Sequence, residues 1–164
     1  MEDILLKKHT DLLERFLLLW ILASAIGHCI FGLGIARICG TSMASTFDDG
    51  DYVLVAAVRD CRELQRGDVI TFYATSGSRT AYVKRIVGLP GEIVEARGDL
   101  LFIDGKSDGI SQNGTGTWGP VTVPPNAVFV LGDNRTVSID SRILGSIPFQ
   151  QVWTKVIGKG AILS

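Results

Sequence analysis

The chain has 164 residues, enough for one domain with a real core and too few for two comfortable ones. Its net charge of −1 and its pI near 6.1 leave no electrostatic footprint for nucleic acid. Mean hydropathy of +0.30 is high for a soluble domain, and the excess is concentrated near the N-terminus.

Residues 1–15 form a short polar leader. From Phe16 to Ile38 the sequence reads FLLLWILASAIGHCIFGLGIARI, with His28 and a late Arg37 as its only basic groups. That length meets the ~20 residues that about 30 Å of hydrocarbon requires, so 16–38 reads as a single membrane-spanning helix. A cleaved signal peptide competes with it, because Lys7, Lys8 and Arg15 precede the run and Ala23-Ser24-Ala25 has the small residues of a cleavage site. Against cleavage, the leader holds four acidic residues and the apolar run continues past that site. A buried core helix is the other alternative, opposed by the absence of any polar face. The basic residues ahead of the span, with only Arg37 close behind, put the N-terminus on the cytoplasmic or matrix side. Residues 39–164 then lie on the far side. Cys39 and Cys61 could bridge there if the compartment is oxidising, and no Cys/His spacing suggests a metal.

After the span no further helix is written. DYVLVAAV (51–58), DVITFYA (68–74), AYVKRIVGL (81–89), EIVEARG (92–98), LLFIDG (100–105), AVFVLG (127–132) and WTKVIGKGAIL (153–163) are short, β-branched or aromatic, and cut by glycine or proline. They predict a mainly β fold, a coiled antiparallel barrel-like domain on one membrane helix. Phe102 to Lys106 predicts a hairpin turning on Asp104-Gly105. Residues 106–120, KSDGISQNGTGTWGP, read as a flexible loop or surface insertion.

The residue inventory restricts the chemistry. The two histidines are His9, before the span, and His28, within it, so a far-side Ser-His-Asp triad is excluded if the topology holds. A two-histidine metal site fails likewise, and no phosphate-binding glycine loop appears. A hydrolase in the far domain would need a carboxylate or lysine base. Ser42, in ICGTSMASTFDDGDYVLV just past the span, reads plainly as a turn serine. More sharply it reads as a nucleophile held beside the bilayer, with its own N–H available to an oxyanion. Met43 and Phe47 would then contact lipid or core. Lys84 lies inside an apolar strand, with Arg85 facing the opposite side. It either snorkels to solvent or is enclosed, and enclosure would lower its pKa until a neutral amine could take the Ser42 proton. Finally, GDNRTVSIDSRILG (132–145) packs alternating arginines and aspartates behind an apolar strand, as an exposed turn or as a network that orients something else.

The segments GTSMASTF, GDYVLV, RGDVITF, YVKRIVGLPGE and GDNRTVSIDSRILG, in that order after a span, resemble the type I signal peptidases of bacteria and the related inner-membrane peptidases of mitochondria. These are membrane-anchored Ser/Lys proteases, and the resemblance runs from the span to near the C-terminus. It implies Ser42 as nucleophile and Lys84 as general base, Ser138 bonded to the lysine amine, and Gly132 close to that amine. It further implies that Asp140, Arg142 and Arg85 form a charge network fixing the strands that carry Lys84 and Ser138. Asp133, Asn134 and Arg135 would shape the turn, and Ser141 carries no assigned role.

Two positions depart from the family pattern. Ser45 stands where the family usually has proline, and Gly40 offers no hydroxyl where some members place a second oxyanion donor. The reticulum enzymes of eukaryotes use histidine in place of the lysine, so Lys84 points to a bacterium or organelle. Asn134-Arg135-Thr136, a glycosylation acceptor had the domain been lumenal, agrees.

The implied activity is removal of N-terminal signal peptides from exported preproteins at the cytoplasmic membrane, with the catalytic domain on the extracytoplasmic side, or less readily at the mitochondrial inner membrane. Signal peptides and the lipid bilayer are the implied partners; no cofactor, metal or nucleic acid is implied. Two alternatives stand beside it. One is a catalytically silent or partner-dependent homologue that binds signal sequences, with a partner subunit as in the mitochondrial type. The other is a specialised Ser/Lys peptidase for one pilus or conjugation substrate.

Overall fold

The computed structural model describes residues 15–19, 22, 32–74, 80–111, 114 and 116–159. The chain divides into two compact units, 1–34 and 35–164. In the first, Arg15 to Leu19 are helical and exposed. Most of the 16–38 run lies outside the described residues, and among those described no helix is long and apolar enough to cross a membrane. One boundary is corrected: Leu33–Arg37 is a β-strand (β1), so a span in this run must end before it. Gly32 and Gly34, like β-branched Ile35, do nothing to favour a helix there.

The second unit is β-rich, as the alternating segments predict. In chain order β2 is Tyr52–Ala57, β3 Val69–Tyr73, β4 Ala81–Gly88, β5 Ile93–Arg97, β6 Leu100–Ile103, β7 Lys106–Ser111, β8 Trp118–Thr122, β9 Ala127–Leu131, β10 Ile147–Pro148 and β11 Val152–Lys159. A four-residue helix, α1 (Ser141–Leu144), interrupts β9 and β10. The strands form a seven-stranded sheet in the order β1-β2-β11-β3-β4-β9-β10 and a four-stranded sheet in the order β7-β6-β5-β8. The expected barrel-like closure is therefore corrected to two open sheets. Closure needs end strands long enough to pair around the circumference, and β10 has only two residues.

A second correction concerns 106–120. Two of its stretches are strands, β7 against β6 and β8 against β5. Their glycines and serines carry no strand signal, and partner strands supply the ladder that local propensity does not. The Asp104-Gly105 hairpin forms as expected, with Ile103 opposite Lys106 and both turn residues at positive φ.

Burial explains why these elements stay together. Ile70, Phe72, Ile86, Val128 and Val130 centre one core cluster; Val87, Val94, Leu101, Val123 and Phe129 centre another between the sheets. Gly88 permits that approach, since a Cβ there would sit 2.5 Å from Val94 Cγ2 on the other sheet. A third cluster joins Ile38, Met43, Phe47, Val53, Val55 and Val69. It ties the turn after β1 to the sheet, so Met43 and Phe47 are core contacts.

Candidate active site

Ser42 sits in the turn that follows β1. That turn is held from within by Ala44 N–H to Thr41 O at 3.1 Å and Phe47 N–H to Met43 O at 2.9 Å. Met43, 1 % exposed, anchors it into the third core cluster. Ser45 adopts φ 87°, a left-handed conformation closed to proline, whose ring holds φ near −65°. At this position the turn follows a path that the usual family residue could not take.

Lys84 occupies the middle of β4, paired with Ile70 on β3, and is 3 % exposed. Its Nζ donates to Ser42 Oγ at 2.7 Å and to the Val83 carbonyl at 2.7 Å. Desolvation pulls its pKa down to about 8, against the opposing pull of Asp140 and Asp133. At pH 7 about a tenth of such amines are neutral, compared with about 0.04 % at an ordinary lysine pKa. The enclosed reading of Lys84 therefore holds, and the snorkelling one does not.

The expected single charge network is two. Arg85 does not meet Asp140: it donates to both oxygens of Asp133, at 2.9 and 2.6 Å, and to Thr46 Oγ1 at 3.1 Å. Thr46 Oγ1 in turn donates to Asp133 at 2.6 Å. Burial opposes the Asp133 charge, but Arg85 and Thr46 hold its carboxyl below the usual carboxylate range. The second network is Asp140 with Arg142, at 2.9 and 3.0 Å. Asp140 also accepts the Gly132 N–H at 3.0 Å and caps α1 through the Arg142 N–H. Burial again opposes ionisation, and Arg142, the Gly132 amide and the nearby Ser138 hydroxyl lower the Asp140 pKa despite it.

Gly132 lies tight against Ser42: a Cβ there would come within 2.6 Å of the Ser42 carbonyl oxygen and would collide with the Ser138 side chain. Ser138 is buried beside it, but the expected bond to the lysine amine is not among those the amine makes. Ser138 Oγ has no hydrogen-bond partner among the described residues and reaches the neighbourhood of Asp140 without meeting bonding geometry. Ser141, without a role from sequence, accepts the Val130 N–H at 2.9 Å. Three contributors were not foreseen in their roles: Thr46, Asp133 and Asn134. Only register could have found Asp133, since Arg85 pairs with Leu131 and Asp133 is the diagonal neighbour two residues on. Cys39 and Cys61 are both free, so the bridge between them is not made.

A cleft of about 440 Å³ opens at Ser42 and Lys84, walled by residues 36–43, 80–84, Val137 and Ile139. Two strand edges border it. β1 ends its sheet, and β4 pairs with β9 only from Arg85 onward, leaving 81–84 without a partner on that side among the described residues. A serine hydroxyl against a buried, largely desolvated amine has the parts needed for nucleophilic attack with a lysine base. Strand edges on either side suit an extended peptide.

Residues 10–159 match the family model described as "Signal peptidase, peptidase S26", and the chain belongs to this family. It is 38 % identical over 135 residues to a signal peptidase I of Bacillus amyloliquefaciens, covering 74 % of this chain and 68 % of that one. It is 37 % identical over 136 residues to signal peptidase I T of Bacillus subtilis, covering 74 % and 69 %. A crystal structure of a signal peptidase I from Enterococcus faecalis shares 34 % identity, with TM-score 0.47, over 60 % of this chain and 97 % of that one.

Proposed function

We propose that the protein is a membrane-bound endopeptidase that removes signal peptides from exported preproteins, with Ser42 as nucleophile and Lys84 as general base. The observation that carries this reading is the 2.7 Å contact between Lys84 Nζ and Ser42 Oγ, made by an amine that burial brings to a pKa of about 8. The neutral amine takes the Ser42 proton as Oγ attacks the scissile carbonyl. The resulting oxyanion is met by the Ser42 N–H, and the lysine returns the proton to the departing amine. Water, activated by the same amine, then releases the mature chain's leader from the acyl-enzyme.

The two strand edges would bind the substrate as an added strand, with small residues preceding the bond. Gly132, Asp140, Arg142 and Arg85 serve as positioning groups, and Ser138 as a hydroxyl available to the amine during the reaction. The N-terminal apolar run would anchor the domain on the extracytoplasmic face of the membrane, where the substrate's apolar segment lies. The alternative of a silent homologue draws on Ser45, but the left-handed turn there coexists with a formed Ser42–Lys84 contact.

The test is cleavage of a membrane-targeted precursor by the detergent-solubilised full chain, with Ser42→Ala and Lys84→Ala alongside. Cleavage after a small residue by wild type, reduced at least a thousandfold in both variants, is the expected result. Wild type as inactive as a folded Ser42→Ala on several precursors would favour the binding or partner-subunit reading instead.

A further inference from the structure

We infer that Asn134 is a positioning residue that aims the Ser42 backbone N–H at the oxyanion site; the inference rests on the Ser42/Lys84 reading above. Asn134 holds the turn on both sides of the Ser42 Cα. Its main-chain N–H donates to the Ser42 carbonyl at 3.0 Å, and its side-chain Nδ2 donates to the Thr41 carbonyl at 3.1 Å. Those two carbonyls belong to the two peptide units that meet at the Ser42 Cα. Holding both leaves little freedom in φ or ψ at the residue between them, because each unit is planar.

The side-chain bond has the more specific consequence. In a trans peptide the Thr41 carbonyl and the Ser42 N–H point in opposite directions. Drawing that carbonyl toward Asn134 therefore turns the N–H away from Asn134. Were the unit to flip, a carbonyl oxygen would stand where the donor is needed and would repel the developing oxyanion. Asn134 is itself oriented: Thr136 Oγ1 donates to its Oδ1 at 2.9 Å, which leaves the amide nitrogen facing Thr41. The loop beneath is braced by Arg135 Nε to Gly132 O at 2.7 Å and Arg142 Nη2 to Arg135 O at 2.6 Å. The Asn134–Thr41 bond is solvent-exposed, so its loss should cost the fold little while changing the aim of the donor.

The experiment measures kcat, KM and their pH dependence on a precursor peptide, using the full chain in detergent, for wild type, Ser42→Ala, Asn134→Ala and Thr136→Val. A peptide aldehyde, whose adduct with Ser42 places an oxygen at the oxyanion site, serves as a binding probe. For Asn134→Ala the expected result is a kcat lowered about ten- to a hundredfold with KM within about twofold. Aldehyde affinity should fall in parallel, and the midpoint of the acid limb should stay in place because the base is untouched. Thr136→Val should change the same quantities in the same direction by about threefold, and it decides the matter if Asn134→Ala does not fold. Unchanged kcat and aldehyde affinity in the folded variants, with hydrolysis still dependent on Ser42, would overturn the role of Asn134 alone. So would a kcat loss matched by an equal KM change or by a shifted acid limb. Hydrolysis by Ser42→Ala at the wild-type rate would overturn both the inference and the reading beneath it.

Discussion

Lys84 is placed where a lysine is least comfortable, and on the proposed mechanism that discomfort is what makes it a base. Its neutral form predominates only above about pH 8, so kcat/KM should climb with unit slope from pH 6 and level off above an apparent pKa near 8, as a pH-rate profile would show. The same shift costs stability. The folded-state pKa lies below the unfolded value of about 10.4, so the folded chain binds fewer protons and pays a penalty that is fully present below pH 8. The penalty fades as pH rises from about 8 to about 10.4. Lys84→Met should therefore be inactive yet more stable than wild type by about 1–3 kcal/mol at pH 7, with the gain vanishing near pH 10.5; urea denaturation at the two pH values checks this. Gly132 makes the complementary case for space. Gly132→Ala would push a methyl against the Ser42 carbonyl and the Ser138 side chain, and should lower kcat at least a hundredfold while costing about 1–3 kcal/mol of stability in the same denaturation assay.

Among the elements, β4 and the segment joining β9 to α1 meet at the Ser42 turn through the Arg85–Asp133–Thr46 network. Asp133 is 10 % and Arg85 28 % exposed at the side chain, so neither charge is well served by water once its partner is gone. Arg85→Ala and Asp133→Ala should each cost about 2–4 kcal/mol, and the double variant should cost clearly less than their sum. A double-mutant cycle by thermal or chemical denaturation measures that coupling. Additive costs would mean that the two side chains act independently. The pair is legible in the sequence only by half. Arg85 stands beside Lys84 in a recognisable segment, but the choice between Asp133 and Asp140 as its partner depends on the β4–β9 register, which puts Arg85 opposite Leu131.

For the molecule as a whole, the strand β1 marks where a soluble fragment can begin. A chain starting at Gly32 keeps β1 and the core cluster around Ile38 and Met43, while lacking the apolar run proposed to span the membrane. Such a fragment should stay in the supernatant after membrane extraction, whereas the full chain should resist alkaline carbonate. The fragment should also retain Ser42-dependent cleavage of a soluble precursor peptide. The exposed Ile35, Trp153 and Ile157 suggest that it will need detergent to remain monodisperse.

By itself the sequence determined the β-rich character, seven of the strands and the hairpin at Asp104-Gly105, and its motifs singled out Ser42 and Lys84 as candidates, because strand patterning, turn chemistry and motif residues are local properties of the chain. Tertiary structure alone decided the rest. β7 and β8 exist because neighbouring strands complete their hydrogen bonds, not because KSDGIS or WGPVT favours extension. The burial of Lys84, with the lowered pKa that follows, depends on how the turn after β1 and the 132–140 segment close over β4. The division of one charge-rich loop into two networks, and the hold of Asn134 on the Thr41 and Ser42 carbonyls, are set by which strand lies beside which. Hydrogen bonds and desolvation act over a few ångströms in space, and residues 42, 84 and 134 are brought within that range only by the sheet.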